Sequence, residues 1–183
     1  MLPFLILIPL IAFLLILFLP RRLEKVIASL AISAVALDFI LFLVQGYLWI
    51  KAGTTTIAQT GINLYTSPIY TFAIDFFADT LSVVFYVITC LTTLLILMFS
   101  KYYMHRDQGF KRFYETVLVF FVGLTLIIFA GTFETLFLGW EFIGITSFLL
   151  IAFYRDRFLP TKNALKVFTL YRIADAFLLG ALW

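Results

Sequence analysis

The 183-residue chain alternates between long apolar runs and short polar interruptions, and the length of the runs sets the predicted architecture. The first run extends from Leu2 to Leu19 and stops at Pro20 and the charged group Arg21, Arg22, Glu24 and Lys25. A second run, Val26 to Ile50, follows so closely that the two predict a tight antiparallel hairpin, closed by Lys51. From Ala52 to Tyr70 the chain is rich in Thr, Gly and Asn and contains Pro68, which suits a loop outside the membrane better than a helix. Further runs cover Thr80 to Ser100, Thr116 to Ala130 and Leu136 to Tyr154, and a last one starts near Ala164 and is still apolar at Trp183. The segment Gly131-Thr-Phe-Glu-Thr135 is too short to be more than a turn, so the fourth run passes directly into the fifth. Runs of this length predict about six transmembrane helices. The expected fold is therefore an all-α polytopic transmembrane helix bundle. It divides into an N-terminal hairpin (1–50), an extracytoplasmic loop (51–78) and the start of a larger transmembrane domain (79–183), which the apolar end predicts to continue.

Composition removes the alternatives. Hydrophobic residues make up 64% and charged residues 13%, with a mean hydropathy of +1.11, against roughly half apolar and a quarter charged in soluble domains. A water-soluble globule of this size would lack polar groups for its surface, whereas a lipid solvent removes the requirement. No small-residue cleavage site follows the first run, which predicts an anchor helix and not a signal peptide. The single Cys90 lies in an apolar run, so the chain offers no disulfide framework and no paired-cysteine metal or redox motif. A net charge of +3 raises the question of nucleic acid, but the basic residues occupy short loops and form no continuous stripe.

Those basic residues predict orientation instead. When alternate loops are assigned to alternate sides, one side collects Arg21, Arg22, Lys25, Lys101, Arg106, Lys111, Arg112, Arg155, Arg157 and Lys162. The other collects Lys51 with Asp75, Asp79 and Glu134. The positive-inside rule then puts the N-terminus outside and the three basic loops in the cytoplasm or its equivalent.

Asp38, Glu141, Arg172 and Asp175 fall within spans and away from their ends. Each such residue costs about 2.5–3.5 kcal/mol at mid-span unless it is paired, protonated or hydrated, which makes it a functional candidate by default. Glu141 lies in Phe-Leu-Gly-Trp-Glu-Phe-Ile-Gly, and Gly144, on the same helical face, is expected to let a neighbouring helix approach. A partly desolvated carboxylate there suits proton exchange; the structural alternative is a protonated Glu that only joins helices. Arg172 and Asp175 are spaced for an ion pair within one helix, which by itself would merely neutralise two charges. Lys166 and Thr169 extend the polar row at the same spacing. Because three residues subtend about 300°, the row winds slowly round the helix and could line a hydrated path. Asp38 has no charged neighbour in its own run, so either its partner comes from elsewhere or it is neutral, and a functional and a structural hydrogen-bonding role are both open. His105, Asp107 and Glu115 lie in or beside a loop and are read as a solvated face, Glu115 also as a helix-start acid.

The segment Leu138-Gly-Trp-Glu-Phe-Ile-Gly-Ile-Thr-Ser-Phe-Leu-Leu-Ile-Ala-Phe153, followed by Lys166-Val-Phe-Thr-Leu-Tyr-Arg-Ile-Ala-Asp175, resembles the large antiporter-like membrane subunit of respiratory complex I, a relative of Mrp-type cation/proton antiporters. The likeness runs from about Asp79 to Gly180 and includes Asp79-Thr-Leu-Ser82 at a span entrance. It implies translocation of protons or Na⁺, with Glu141 in the channel, Arg172 and Asp175 as its neighbours on the following helix, and a lysine partner on a later, broken helix beyond Trp183. It also implies other membrane subunits as partners. The chain offers no glycine-rich dinucleotide fingerprint and no cysteine ligands, so NADH, flavin, quinone and iron chemistry is expected in other subunits. Phe142 and Ala174 stand where family members usually carry Gly, which leaves the subfamily open. The alternative is a paralogue such as the membrane subunit of a two-component inorganic-carbon uptake system, which works with a soluble partner, or an Mrp-type antiporter. A purely structural assembly module is the contrasting reading.

Overall fold

In the computed structural model, residues 2–51, 53, 56–67 and 71–182 are described. Ala52, Pro68, Tyr70 and Trp183, which bound the predicted loop and last span, lie outside them. Six helices follow the six apolar runs: α1 (Leu2–Phe18), α2 (Glu24–Lys51), α3 (Thr80–Tyr103), α4 (Phe110–Ile128), α5 (Phe133–Ile151) and α6 (Phe158–Leu182). By length and composition α2, α3 and α5 are each long and apolar enough to cross a membrane, and α1 is a shorter apolar helix. α4 and α6 carry more charge along their length, Lys111, Arg112 and Glu115 in the one and Lys166, Arg172 and Asp175 in the other.

Local chemistry explains where the helices start and stop. Asp79 caps α3, its carboxylate accepting from the Ser82 amide at 2.8 Å and the Ser82 hydroxyl at 2.9 Å, which satisfies donors the helix leaves orphaned. The same hydrogen bonds hold this carboxyl below the usual carboxylate range. Thr132 caps α5 by accepting from the Thr135 amide. α1 ends just before Pro20, which cannot continue a helix.

Packing follows stripes at helical spacing. α3 buries Ser82, Tyr86, Cys90, Thr93, Leu97 and Ser100, steps of three and four that trace one face. α2 buries Ala28, Ala31 and Ala34, small side chains that let α1 and α3 come close. α4 is the centre of the bundle: Tyr114, Leu118, Phe121 and Val122 are buried, and it touches α1, α2, α3 and α5. On the outside, Phe4, Ile11 and Leu15 of α1, Ile40 and Val44 of α2, and Leu95 and Phe99 of α3 are exposed. Such an apolar belt is untenable in water and ordinary in lipid.

The tightest helix contact joins α4 and α5. A Cβ on Gly139 would lie 2.8 Å from the Gly123 carbonyl oxygen, and one on Gly123 would lie 3.1 Å from that of Gly139. Gly144, expected to supply this close approach, has no neighbouring atom within 4 Å of where its Cβ would stand. It faces the cleft beside α6 instead, because α5 turns its Gly139 face to α4.

The segment between α2 and α3, expected as a loop, contains two antiparallel strands, β1 (Ile57–Thr66) and β2 (Thr71–Ala78). β2 reads Thr-Phe-Ala-Ile-Asp-Phe-Phe-Ala, rich in β-branched and aromatic residues. Gly61 occupies an irregularity in β1 where any side chain would strike the Ile74 carbonyl. The α4–α5 turn lies along β2: the Phe77 amide donates to Phe129 O at 2.9 Å and the Gly131 amide to Asp75 O at 2.8 Å. Thr132 and Thr135 hydroxyls donate to Ala73 O and Asp75 O. The Leu2 amide donates to the Gln59 side chain at 3.1 Å. The strands therefore close one end of the bundle, and the basic loops gather at the other.

Candidate intramembrane ion-pair site

The four intramembrane ionisable residues separate into two places. Asp38, fully buried on α2, accepts a hydrogen bond from the Tyr86 hydroxyl of α3 at 2.5 Å. Its second oxygen, Oδ1, is buried without a hydrogen-bond partner. Aromatic rings enclose the pair: Phe42 stands 4.5 Å and Phe129 4.9 Å from the Tyr86 ring, centroid to centroid. The partner from another helix is thus a neutral hydroxyl and not a cation.

The other three converge between α5 and α6. Arg172 Nη1 donates to Glu141 Oε2, joining the two helices through a charge-assisted hydrogen bond. The same Nη1 lies 3.6 Å from Asp175 Oδ2. The pairing predicted within α6 is present but secondary, since the guanidinium reaches across to the neighbouring helix. Asp175 is buried and accepts from Trp140 Nε1 at 2.9 Å, so the residue preceding Glu141 in the chain anchors the second carboxylate. The Arg172 guanidinium also lies over the Phe168 ring at 4.9 Å, a cation–π contact that supports a charge in apolar surroundings.

A cleft of about 220 Å³ opens beside the cluster, lined by Trp140, Gly144, Ser147, Phe168, Arg172 and Asp175 among others. The Glu141 and Arg172 side chains remain 20% and 37% exposed, and Arg172 and Asp175 are the members of the cluster that line the cleft. Lys166 and Thr169 are not in this cleft. They share another, open face of α6 with Phe158, Leu165 and Leu170, because the row winds round the helix between Lys166 and Arg172. No group of three or more His, Cys, Asp or Glu side chains capable of holding a metal occurs among the described residues.

Tyr86 and Trp140 were not legible as partners in the sequence. Each sits on a different helix from the carboxylate it binds, and no spacing rule reaches across helices. Trp140 had one available signal, its place directly before the intramembrane Glu141.

Six helices with an outward apolar belt and an ion pair set between two of them define a polytopic integral membrane protein. Residues 65–114 match the family model for the N-terminus of chain 5 of NADH-ubiquinone oxidoreductase (complex I), and residues 130–183 match that for the transmembrane region of NADH:quinone oxidoreductase and Mrp antiporters. The chain belongs to this antiporter-like membrane-subunit family, as its residue motifs implied. It is 34% identical over 111 residues to NADH-quinone oxidoreductase subunit L of Neisseria meningitidis, covering 60% of this chain and 16% of that one. It is 29% identical over 154 residues to NADH-ubiquinone oxidoreductase chain 5 of Felis catus, covering 82% and 25%. Both figures show that the chain spans a quarter or less of the relatives' length. A chain in the solved archaeal respiratory membrane complex, the membrane-bound sulfane sulfur reductase, shares the fold at a TM-score of 0.76 and 18% identity, over 97% of this chain and 35% of its own. Glu141, Lys166, Arg172 and Asp175 lie inside the second matched region, and Asp38 precedes both.

Proposed function

We propose that the chain contributes part of the path by which a complex I type NADH:quinone oxidoreductase moves protons, or Na⁺, across its membrane, working with the other membrane subunits of that assembly. The observation that carries this reading is the charge count of the α5–α6 cluster. Two carboxylates, Glu141 and Asp175, share one guanidinium, Arg172. Within a low-dielectric span that cluster is short of one positive charge, which a proton or a small cation arriving through the cleft would supply. Arg172 lies between two competing acceptors. In this reading Glu141 is the group that exchanges the translocated ion and Arg172 its counter-charge. Trp140 holds Asp175 in place.

Lys166 and Thr169 extend the polar row from the open face of α6, and Asp38 is a separate buried carboxyl of the same path. Redox chemistry is assigned to other subunits of the assembly.

Proton flux in proteoliposomes carrying the complete protein with its partner subunits tests the assignment. Glu141→Gln keeps the shape and the hydrogen bond to Arg172 but removes the titratable group. Flux is expected to fall by roughly a hundredfold, the lower end of what a positioned proton-transfer group contributes. Unchanged flux would mean that the cluster only joins α5 to α6.

A further inference from the structure

At the basic end of the bundle a cleft of about 450 Å³ lies between the end of α1, the α3–α4 loop, the first turns of α4 and the α5–α6 loop. Arg21, Arg112 and Arg155 all line it; Arg155 and Arg21 act repulsively on the Arg112 charge, and Asp107 and Asp156 act favourably on it. None of the three forms an ion pair among the described residues. Arg112 is anchored by donating from Nη2 to Phe153 O at 2.6 Å, while its Nε is buried with no hydrogen-bond partner. A buried guanidinium Nε without an acceptor, beside two further arginines, is costly unless an acceptor joins it.

Some of the remaining charges in the cleft are engaged, while Glu115 Oε1 is buried without a hydrogen-bond partner. Lys111 donates to the carbonyl oxygens of Leu17 and Leu19 at 2.9 and 2.8 Å and faces Glu115 at 3.5 Å. Asp107 accepts from the Gly109 amide at 2.7 Å. Asp156 is the other acid of the lining. Four cations against three carboxylates leave one net positive charge. The α4 N-terminus, where Gly109 provides no side-chain cap, adds the positive end of a helix dipole to the same space.

We infer that this cleft binds the phosphate of an acidic phospholipid headgroup, a phosphodiester of one negative charge that matches the one net positive charge. The volume suits a glycerophosphate group and exceeds what a bare ion needs. The wall at Leu17 continues into the outward face of α1, where Leu14, Leu17 and Phe18 are exposed, so acyl chains would run from the cleft directly along an apolar surface. Basic pockets between transmembrane helices at a membrane surface are suited to anionic headgroups. This site is separate from the Glu141 cluster and stands whether or not that cluster moves protons.

Native mass spectrometry of the complete detergent-solubilised protein, incubated with phosphatidylglycerol or phosphatidylcholine, tests the inference. At least about tenfold preferential retention of phosphatidylglycerol is expected. Arg21→Ala and Arg155→Ala, at exposed positions without ion pairs, are each expected to lower that retention roughly fivefold with helical content unchanged. Arg112→Lys keeps the charge but removes Nε and is expected to weaken retention as well. Equal retention of the two lipids, or retention indifferent to Arg21→Ala and Arg155→Ala, would overturn the site. Inorganic phosphate protecting against thermal unfolding as well as phosphatidylglycerol does would overturn the lipid as its occupant.

Discussion

Asp38 illustrates how much one hydroxyl carries inside a membrane protein. Its carboxyl is fully buried and has one hydrogen-bond partner among the described residues, the Tyr86 hydroxyl. Tyr86→Phe removes that partner while preserving the ring packing against Phe42 and Phe129. An unsatisfied buried polar group costs about 1–3 kcal/mol, so the variant is expected to unfold at lower temperature in detergent by that order. Asp38→Asn restores a neutral hydrogen-bonding group of the same size and is expected to cost less. Equal stability of wild type and Tyr86→Phe in a thermal scan would mean that the hydroxyl does not hold α2 to α3. The same logic distinguishes Glu141, whose partner is charged and partly exposed, from Asp38, whose partner is neutral and enclosed. Flux is therefore the first readout for Glu141, whereas for Asp38 stability has to be read alongside flux.

At the scale of elements, two glycines five residues apart on α5 have opposite roles. Gly139 meets the α4 backbone, and Gly144 faces open space. Gly139→Ala is expected to destabilise the protein by about 1–3 kcal/mol, because a backbone carbonyl cannot yield as a side chain can. Gly144→Ala is expected to be neutral or slightly stabilising, since Ala lowers the conformational cost of the helix. Thermal unfolding of the two variants side by side checks this, and a larger loss at Gly144 would contradict the α4–α5 packing. Sequence spacing could place Gly144 on the Glu141 face but could not say which face of α5 meets α4. The strands behave alike: the residues of β2 favour extended structure, yet its pairing with the α4–α5 turn depends on backbone groups of residues 129–131, which no local pattern reveals.

For the whole molecule, the positions of the loops make the orientation testable. Cross-contacts tie the three basic loops together: His105 pairs with Glu24 at 2.8 Å, Lys111 binds the end of α1, and Arg112 binds Phe153. The strands lie at the opposite end. The only native cysteine, Cys90, is buried, so introduced cysteines can be read against a quiet background. Arg22→Cys and Leu64→Cys, both at exposed positions, are expected to react with a membrane-impermeant thiol reagent from opposite faces of sealed vesicles. The positive-inside rule predicts that position 22 is labelled from the cytoplasmic face. Labelling of both from one face would break the six-span topology.

The sequence by itself determined the helices, their approximate ends, the solvent they face and the family. All of these follow from one-dimensional quantities: the length of apolar runs, the Pro and Asp residues at their borders, and the charge of the loops between them. It also singled out Glu141, Arg172, Asp175 and Asp38, because an ionisable residue within a span is costly whatever surrounds it. Only the tertiary structure decided what those residues touch. Arg172 reached across to Glu141 as well as to its own neighbour Asp175, Trp140 and Tyr86 supplied the neutral donors, Lys166 turned to another face, and three arginines met in one cleft. The physical reason is the same each time. Within a helix, spacing sets which side chains are neighbours, but between helices that depends on the rotation of each about its axis, and packing at Gly123, Gly139 and the alanines of α2 fixes that rotation.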